Sequence, residues 1–437
     1  MTRQTALYAL GFCLLIALGA LGVNAMASVS RVEDRSPTAR PVVADALVVR
    51  NGTVIDGTGR APIRDGVVVI AKDKIAAVGS AANFIIPPDA RVIDAQGGTI
   101  LPGIINSNVH EVSSPLVRQF YYLRHGVTTV CDLGTALDAM RNFQDSSGYG
   151  LTARGFRSGP VINVLKGYPG SGEYLFEVED AEQARQAVAY LVSRGADMVK
   201  VALESGSSKL PWPAPAGEPI PNFELADLRA LVAEAHARGM LVLVHLGTAE
   251  VLDLALDAGI DVFEHVPLPR LGEIDFQTGS ENGNFAKLSP AYEAQLDRMV
   301  KQKVMMVPTL DKIITWCESF AATSEHKARC AKQALTPVHR FHEMGGLIAL
   351  GDDSGAKPRT GMPIYEMRRL LDAGLTPTEI IQAGTARAAY ACGHGDELGT
   401  LQPGKLADVI VVNGDPLNNI EAMNQVNHVI IGGQVFR

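Results

Sequence analysis

The chain has 437 residues, a length that suits two to three domains or one large barrel with an appendage. Apolar residues make up 47% and charged residues 20%, which excludes disorder, collagen and a multi-span membrane protein. The net charge of -8, from 39 basic and 47 acidic side chains with no long run of either sign, offers no basic stripe and argues against a nucleic-acid partner.

Arg3 precedes an uncharged apolar stretch from Ala6 to Val23, and Ala25-Met26-Ala27-Ser28 follows. A basic start, an apolar middle and an A-x-A site read as a secretory signal peptide over residues 1–27, with export to the periplasm or the medium. The alternative is an uncleaved anchor; otherwise the mature chain carries no membrane span. In an oxidising compartment Cys317 and Cys330 are close enough in sequence to pair, although the sequence does not decide whether they do. Cys131 sits in an apolar run and reads as a buried thiol. No pair has the C-x-x-C spacing of a zinc or redox site.

Residues 28–44 are polar with two prolines and read as a linker. Residues 45–100 carry short β runs, with Asn51-Gly52 as a hairpin signal and Lys72-Asp73-Lys74 as a second turn. From 101 to 392, apolar runs alternate with amphipathic segments such as DAEQARQAVAYLVSRG and FELADLRALVAEAHARG. The strand candidates are TILPGIINSNVH, VTTVCDL, PVINVL, ADMVKVAL, MLVLVHL, IDVFEHV, VMMVPTL and GLIALGDD. Eight such strands, each followed by helical sequence, predict an α/β fold with a (β/α)8 TIM-like barrel. Residues 393–437 return to β patterning, so the two β fragments pair into one domain if the middle of the chain brings the termini together.

In such a barrel the reactive side chains lie at the C-terminal ends of the strands. The first strand ends in Asn106, Asn108 and His110, which alternation places on one face. The fourth carries Lys200, the fifth ends in His245, the sixth in His265 and the eighth in Asp352-Asp353. Each interrupts an apolar run where packing alone calls for another Val or Leu. Histidine with carboxylate suits zinc or a similar divalent ion. His125, His236, His339, His342 and His428 read as surface or packing residues, and His326 as a residue of the loop after the seventh strand. The YPGSGE segment around Tyr168 and the proline-rich loop with Trp212 are candidates for shaping the rim.

These motifs resemble the metal-dependent amidohydrolase superfamily, in the branch of imidazolonepropionase and exported Xaa-Pro-type dipeptidases. The likeness rests on LPGIINSNVH, GVTTVCDLG, GADMVKV, LVLVH, GIDVFEH, VPTL, LGDDSG and the closing GTLQPGKLADVIVV, and covers nearly all of the chain after the linker. It implies a barrel with a small composite β-sandwich built from both termini. It also implies two divalent metal ions, zinc by preference, bridged by a carboxylated Lys200, with His245 and His265 on one ion and His110 and Asp353 on the other. Asp353 then serves as acid and base toward a metal-bridging hydroxide, in the hydrolysis of an amide-type C–N bond of a dipeptide or N-acyl amino acid. The family's first-strand motif is His-x-His, whereas this chain has Asn108-Val109-His110. Asn108 as a weak amide ligand, a mononuclear cyclic-amide hydrolase or deaminase, and a catalytically degenerate binding protein all stay open, as does assembly into a homo-oligomer.

Overall fold

A computed structural model describes residues 40–42, 45–110, 116–140, 152–170, 172, 174–206, 220–270, 272–279, 284–354 and 361–437. The expected signal peptide, most of the linker and Trp212 with most of its loop lie outside the described residues.

Strands from both ends of the chain share one mixed sheet. Its order runs Gln434–Val435, Val426–Ile431, Val409–Val412, Thr99–Pro102, Leu47–Val54, Ile63–Ala71, Lys74–Ser80, with Arg91–Asp94 beside Leu47–Val54. The joint is the antiparallel pairing of Thr99–Pro102 with Val409–Val412. Alternation supplies both faces: Val68 and Ile70 pack into one apolar cluster, Val67 and Val69 into another. The Lys72-Asp73 turn forms, closing the pair Ala71 and Lys74. The expected hairpin at Asn51-Gly52 does not. The strand continues through both residues with shifts of register, Asn51 taking φ 59° and bonding Asp94 at 2.8 Å. Here the left-handed residue makes a bulge rather than a reversal. Gly52 allows close approach, since a Cβ there lies 2.7 Å from the Gly98 carbonyl oxygen.

Gly103 separates this sheet from a second set of strands, all parallel. Ile104–Val109, Val127–Asp132 and Arg154–Arg157 form one group. Leu175–Val178, Val161–Val164, Val199–Leu203, Val242–Leu246, Val262–Glu264, Met305–Val307 and Leu347–Ile348 form another. A bridge from Val109 to Ser354 links the first strand to the segment after the last. Strands lie at all eight candidate runs. TILPGIINSNVH divides at Gly103 into one strand of each kind. The strands Arg154–Arg157 and Leu175–Val178 were not anticipated, the former because its RGFR sequence carries no apolar run.

Helices alternate with these strands and bury one stripe each. Ala181–Ser193 buries Ala184, Ala187, Val188 and Leu191, and is capped by the Asp180 carboxylate on the Gln183 N–H. Leu225–Ala237 buries Leu228, Leu231, Val232 and Ala235. These stripes cover Val199, Val201, Leu203, Val242, Val244, Leu246 and Phe263 of the strands. The intervening strand residues Leu243, Val262, Met305 and Val307 pack with Ile105, Cys131 and Ala349 in a separate inner cluster. The period-two pattern therefore assigns Lys200, His245 and Glu264 to that inner side.

Two disulfides are present. Cys317 pairs with Cys330 across 13 residues, within adjoining helices. Cys131 pairs with Cys392 across 261 residues, which corrects the reading of Cys131 as a free buried thiol. The sequence hides this pair because an apolar strand residue and the residue just after the helix Ala388–Ala391, so far apart in the chain, meet only through the inner cluster. In the chain-entropy view, closing these loops stabilises the fold by about 3 and about 5.5 kcal/mol respectively. The double variant Cys131→Ser/Cys392→Ser is thus expected to lose more stability than Cys317→Ser/Cys330→Ser. Guanidinium unfolding of the two variants checks this, and an equal or reversed ranking contradicts it.

Candidate metal centre

Lys200 ends up enclosed, with burial pulling its amine down to about 8 against the opposing charges of Glu264 and Asp353. His245 stands one strand over, at the level of Ala202 in the ladder. Its ring meets that of His265 edge-on at 4.6 Å between centroids. By alternation His265, which follows the inward Glu264, should face outward. It does not, because its backbone adopts φ 74° and turns the strand end inward. The His265 ring is then fixed through Nδ1, 2.7 Å from the Thr309 hydroxyl. Thr309 is itself left-handed at φ 48°. The N–H groups of Leu310 and Asp311, which open the helix after it, donate to the two oxygens of buried Glu366 at 2.8 and 2.7 Å.

The end of the first strand meets the residues after the eighth. His110 Nε2 lies 3.0 Å from Asp353 Oδ1. Burial pushes the Asp353 carboxyl upward, but the His110 hydrogen bond and the nearby histidine charges override it and hold the group well below the usual carboxylate range. Asp352 accepts from Asn106 Nδ2 at 2.7 Å, and burial raises it to about 6. Alternation does not divide this pair, because Asp353 has φ 49° and lies beyond the strand. Gly351 is required just before them: a Cβ there lies 2.6 Å from a Val307 methyl and 2.7 Å from Asn108 Cβ.

All six expected site residues, Asn108, His110, Lys200, His245, His265 and Asp353, therefore gather at one end of the parallel strands. Asn108 is fully buried and donates its amide to Glu264 Oε2 at 2.6 Å. Glu264, also fully buried, is pushed up to about 7 by burial, opposed by the charge of Lys200 and the Asn108 bond. Asn108 Oδ1 and Glu264 Oε1 are left without hydrogen-bond partners.

Sequence reasoning missed Glu264, although it stands beside His265 in VFEH, since alternation admits only one of two neighbours. It also missed Glu204, whose Oε2 accepts the Gly247 N–H at 3.1 Å and lies 3.7 Å from His245 Nε2. Tyr168 stacks on the His245 ring at 4.3 Å, placing its segment at the rim. The other histidines are engaged elsewhere: His236 with Asp261 at 2.8 Å, His342 with Glu379 at 2.9 Å, His339 with the Ala373 carbonyl at 3.0 Å. His326 lies in the helix Ser324–Glu343 rather than in a loop, Thr323 capping its N–H at 3.2 Å.

Residues 99–436 match the Amidohydrolase family, and the chain belongs to it. It is similar to the ochratoxinase of Aspergillus niger, with 25% identity over 90% of this chain and 87% of that one. The imidazolonepropionase of Symbiobacterium thermophilum is 24% identical over 86% of this chain and 92% of that one. A solved Xaa-Pro dipeptidase with methionine in its active site superposes with a TM-score of 0.71 at 23% identity, over 90% of this chain and all of that one. The fold is TIM-barrel-like α/β, and the protein is a hydrolase acting on carbon–nitrogen bonds.

Members of this superfamily are generally metal-dependent. Among the described residues, however, no three His, Cys, Asp or Glu side chains converge as an ion would require. The donors stand in twos, His110 with Asp353 and His245 with His265. Imidazole, carboxylate and a depressed amine are a suitable donor set for a divalent ion, and the two orphaned buried oxygens call for a cation or a proton. Each pair is one donor short.

Removing the Glu366 carboxylate strands two helix-opening N–H groups in the interior. Glu366→Ala is expected to lower stability by about 2–3 kcal/mol in urea unfolding. Glu366→Gln, which keeps one acceptor, should lose less, and equal losses would speak against the cap.

Proposed function

We propose that this hydrolase cleaves an amide-type C–N bond of a dipeptide or N-acyl amino acid with the aid of two divalent ions. The observation that carries the proposal is the burial of the Lys200 amine beside Glu264 and Asp353 and within electrostatic reach of His110, His245 and His265. A neutral amine adds carbon dioxide and releases a proton to give a carbamate, which would offer an oxygen to each pair. The absence of any group of three then follows: with an unmodified lysine and Asn108 in place of histidine, each pair remains a pair.

In this reading His245, His265 and the Lys200 carbamate would hold one ion, while His110, Asp353 and the same carbamate would hold the other, with Asn108 as a weak further ligand. When bound, the ions, zinc by preference, lower the pKa of water and polarise the carbonyl. The chain's own part is proton handling. Asp353, fully ionised near pH 7, accepts the proton of the attacking water and passes it to the leaving nitrogen. Tyr168 and Glu204, at the rim beside His245, are placed to orient the substrate. Its likeness to an ochratoxinase and to an Xaa-Pro dipeptidase supports an amide-type substrate. A single-ion cyclic-amide hydrolase or deaminase is the second reading, favoured by the pairing of the Asn108 amide with Glu264.

The same proposal takes the parallel strands as a closed (β/α)8 barrel over 101–392, and residues 45–100 and 393–437 as a β-sandwich around it. Export fits the two disulfides, which persist in oxidising compartments. Among the described residues no helix is long and apolar enough to cross a membrane.

Elemental analysis of protein reconstituted with zinc and bicarbonate should give close to two ions per chain, and one ion would favour the second reading. Asp353→Asn should lower kcat by orders of magnitude with the fold retained, and near wild-type turnover would remove Asp353 from its role. Proton competition sets the pH dependence. Lys200 titrates at about 8 and His110 is raised by Asp353 despite burial, so both shed protons before they can serve as donors. Apparent zinc affinity in chelator competition should therefore rise from pH 6 and level off above pH 8. A flat profile would contradict protonation of these donors.

A further inference from the structure

We infer that Lys312 recognises the carboxylate of the leaving amino acid, from a helix whose exposed aromatic side favours an apolar residue there. The inference deepens the reading of the substrate as a dipeptide or N-acyl amino acid and rests on it. The helix Leu310–Phe320 starts directly after Thr309, which holds His265. Its buried side carries Leu310, Ile314 and Cys317. Lys312, Trp316 and Phe320 fall on the exposed side, each about one turn from the next. Lys312 Nζ donates to the Asp353 carbonyl at 3.4 Å and stands 3.8 Å from Asp353 Oδ2. Its side chain is still 52% exposed.

An ammonium has three donors, and a long bond to a carbonyl leaves it able to take a further acceptor. Asp353 identifies that acceptor. In the reading above Asp353 passes a proton to the leaving nitrogen, so this nitrogen comes within hydrogen-bond reach of it. In a dipeptide or an N-acyl amino acid the carbon next to that nitrogen bears the carboxylate. The carboxylate therefore arrives close to the Asp353 charge and is repelled unless a cation stands beside both. Lys312 stands there. Its helix is held by Glu366 at the N–H groups of Leu310 and Asp311, and by the Cys317–Cys330 disulfide to the helix Ser324–Glu343. A cation on an element fixed in this way selects by position. One turn on, Trp316 is 40% and Phe320 45% exposed, with their rings edge-to-face at 5.4 Å. That aromatic surface suits an apolar side chain on the leaving amino acid.

A panel of dipeptides and N-acetyl amino acids, each as the free acid and as the C-terminal amide, tests this on protein reconstituted with zinc and bicarbonate. Cleavage of the inner amide is followed by chromatography. The wild type should prefer the acids by about ten-fold or more in kcat/KM, mostly through KM, and the preference should shrink as salt is raised. Lys312→Met should abolish the preference, with the loss falling far more on the acids than on the amides, and Lys312→Arg should keep part of it. Calorimetric titration with free phenylalanine and with phenylalaninamide reads binding without turnover, and Lys312→Met should weaken the former more. Trp316→Ala should narrow the gap between apolar and polar leaving residues, and an unchanged gap would remove the aromatic side from the inference. Equal losses on acid and amide in Lys312→Met would overturn it and leave the substrate reading standing, since Lys312 would then act through Asp353 alone. A wild type that cleaves acids and amides alike would overturn it as well. If the wild type cleaves no member of the panel in either form, the substrate reading falls and the inference falls with it.

Discussion

An amine enclosed by apolar strands has to lose its proton, find a counter-charge or react. Lys200 is in that position: its flanking residues Val199 and Val201 pack with the helices, and its own side chain faces inward beside the charges of Glu264 and Asp353. The features around it follow from that constraint. Glu264 and Asp353 are the charges that hold the amine partly protonated, and Asp353 is itself kept ionised by His110. Each of these groups is costly to bury alone and tolerable only as part of the set.

The set could not assemble on regular strands. Alternation delivers one inward side chain in two, yet Glu264 and His265 are adjacent and both inward, and Asp352 and Asp353 are adjacent and both engaged with the first strand. The backbone meets this with left-handed residues at His265, Thr309 and Asp353. All three are non-glycine residues in the segments that follow the strands, where such geometry costs of order 1–3 kcal/mol each and persists only when the surroundings fix it. Glu366 supplies part of that fixing, from the helix Ile364–Asp372.

The same geometry explains what the sequence could and could not disclose. The apolar runs closed by His110, His245, His265 and Asp352-Asp353, and the one interrupted by Lys200, pointed to the parallel strands and the candidate site, because polar residues there contradict the core pattern around them. Glu264 stayed hidden because period-two reasoning excludes it once His265 is accepted, and only the φ of His265 resolves the conflict. Glu204 and Glu366 stayed hidden because their partners are backbone N–H groups, which leave no mark in a sequence. The Asn51-Gly52 signal was sound chemistry for a left-handed residue, but a bulge uses the same conformation as a turn. Cys131 looked like any apolar strand residue until the inner cluster brought Cys392 against it.

The pairing of Thr99–Pro102 with Val409–Val412 has an implication for biosynthesis. The mixed sheet lacks its central seam until Val409–Val412, which follows the whole set of parallel strands, has left the ribosome. Leu47–Val54 and its neighbours therefore exist for most of synthesis as a sheet with an open edge, the state most prone to pairing with another chain. Cys392 emerges shortly before Val409–Val412, so the seam of the sheet and the Cys131–Cys392 bridge can close only at the same late stage of synthesis.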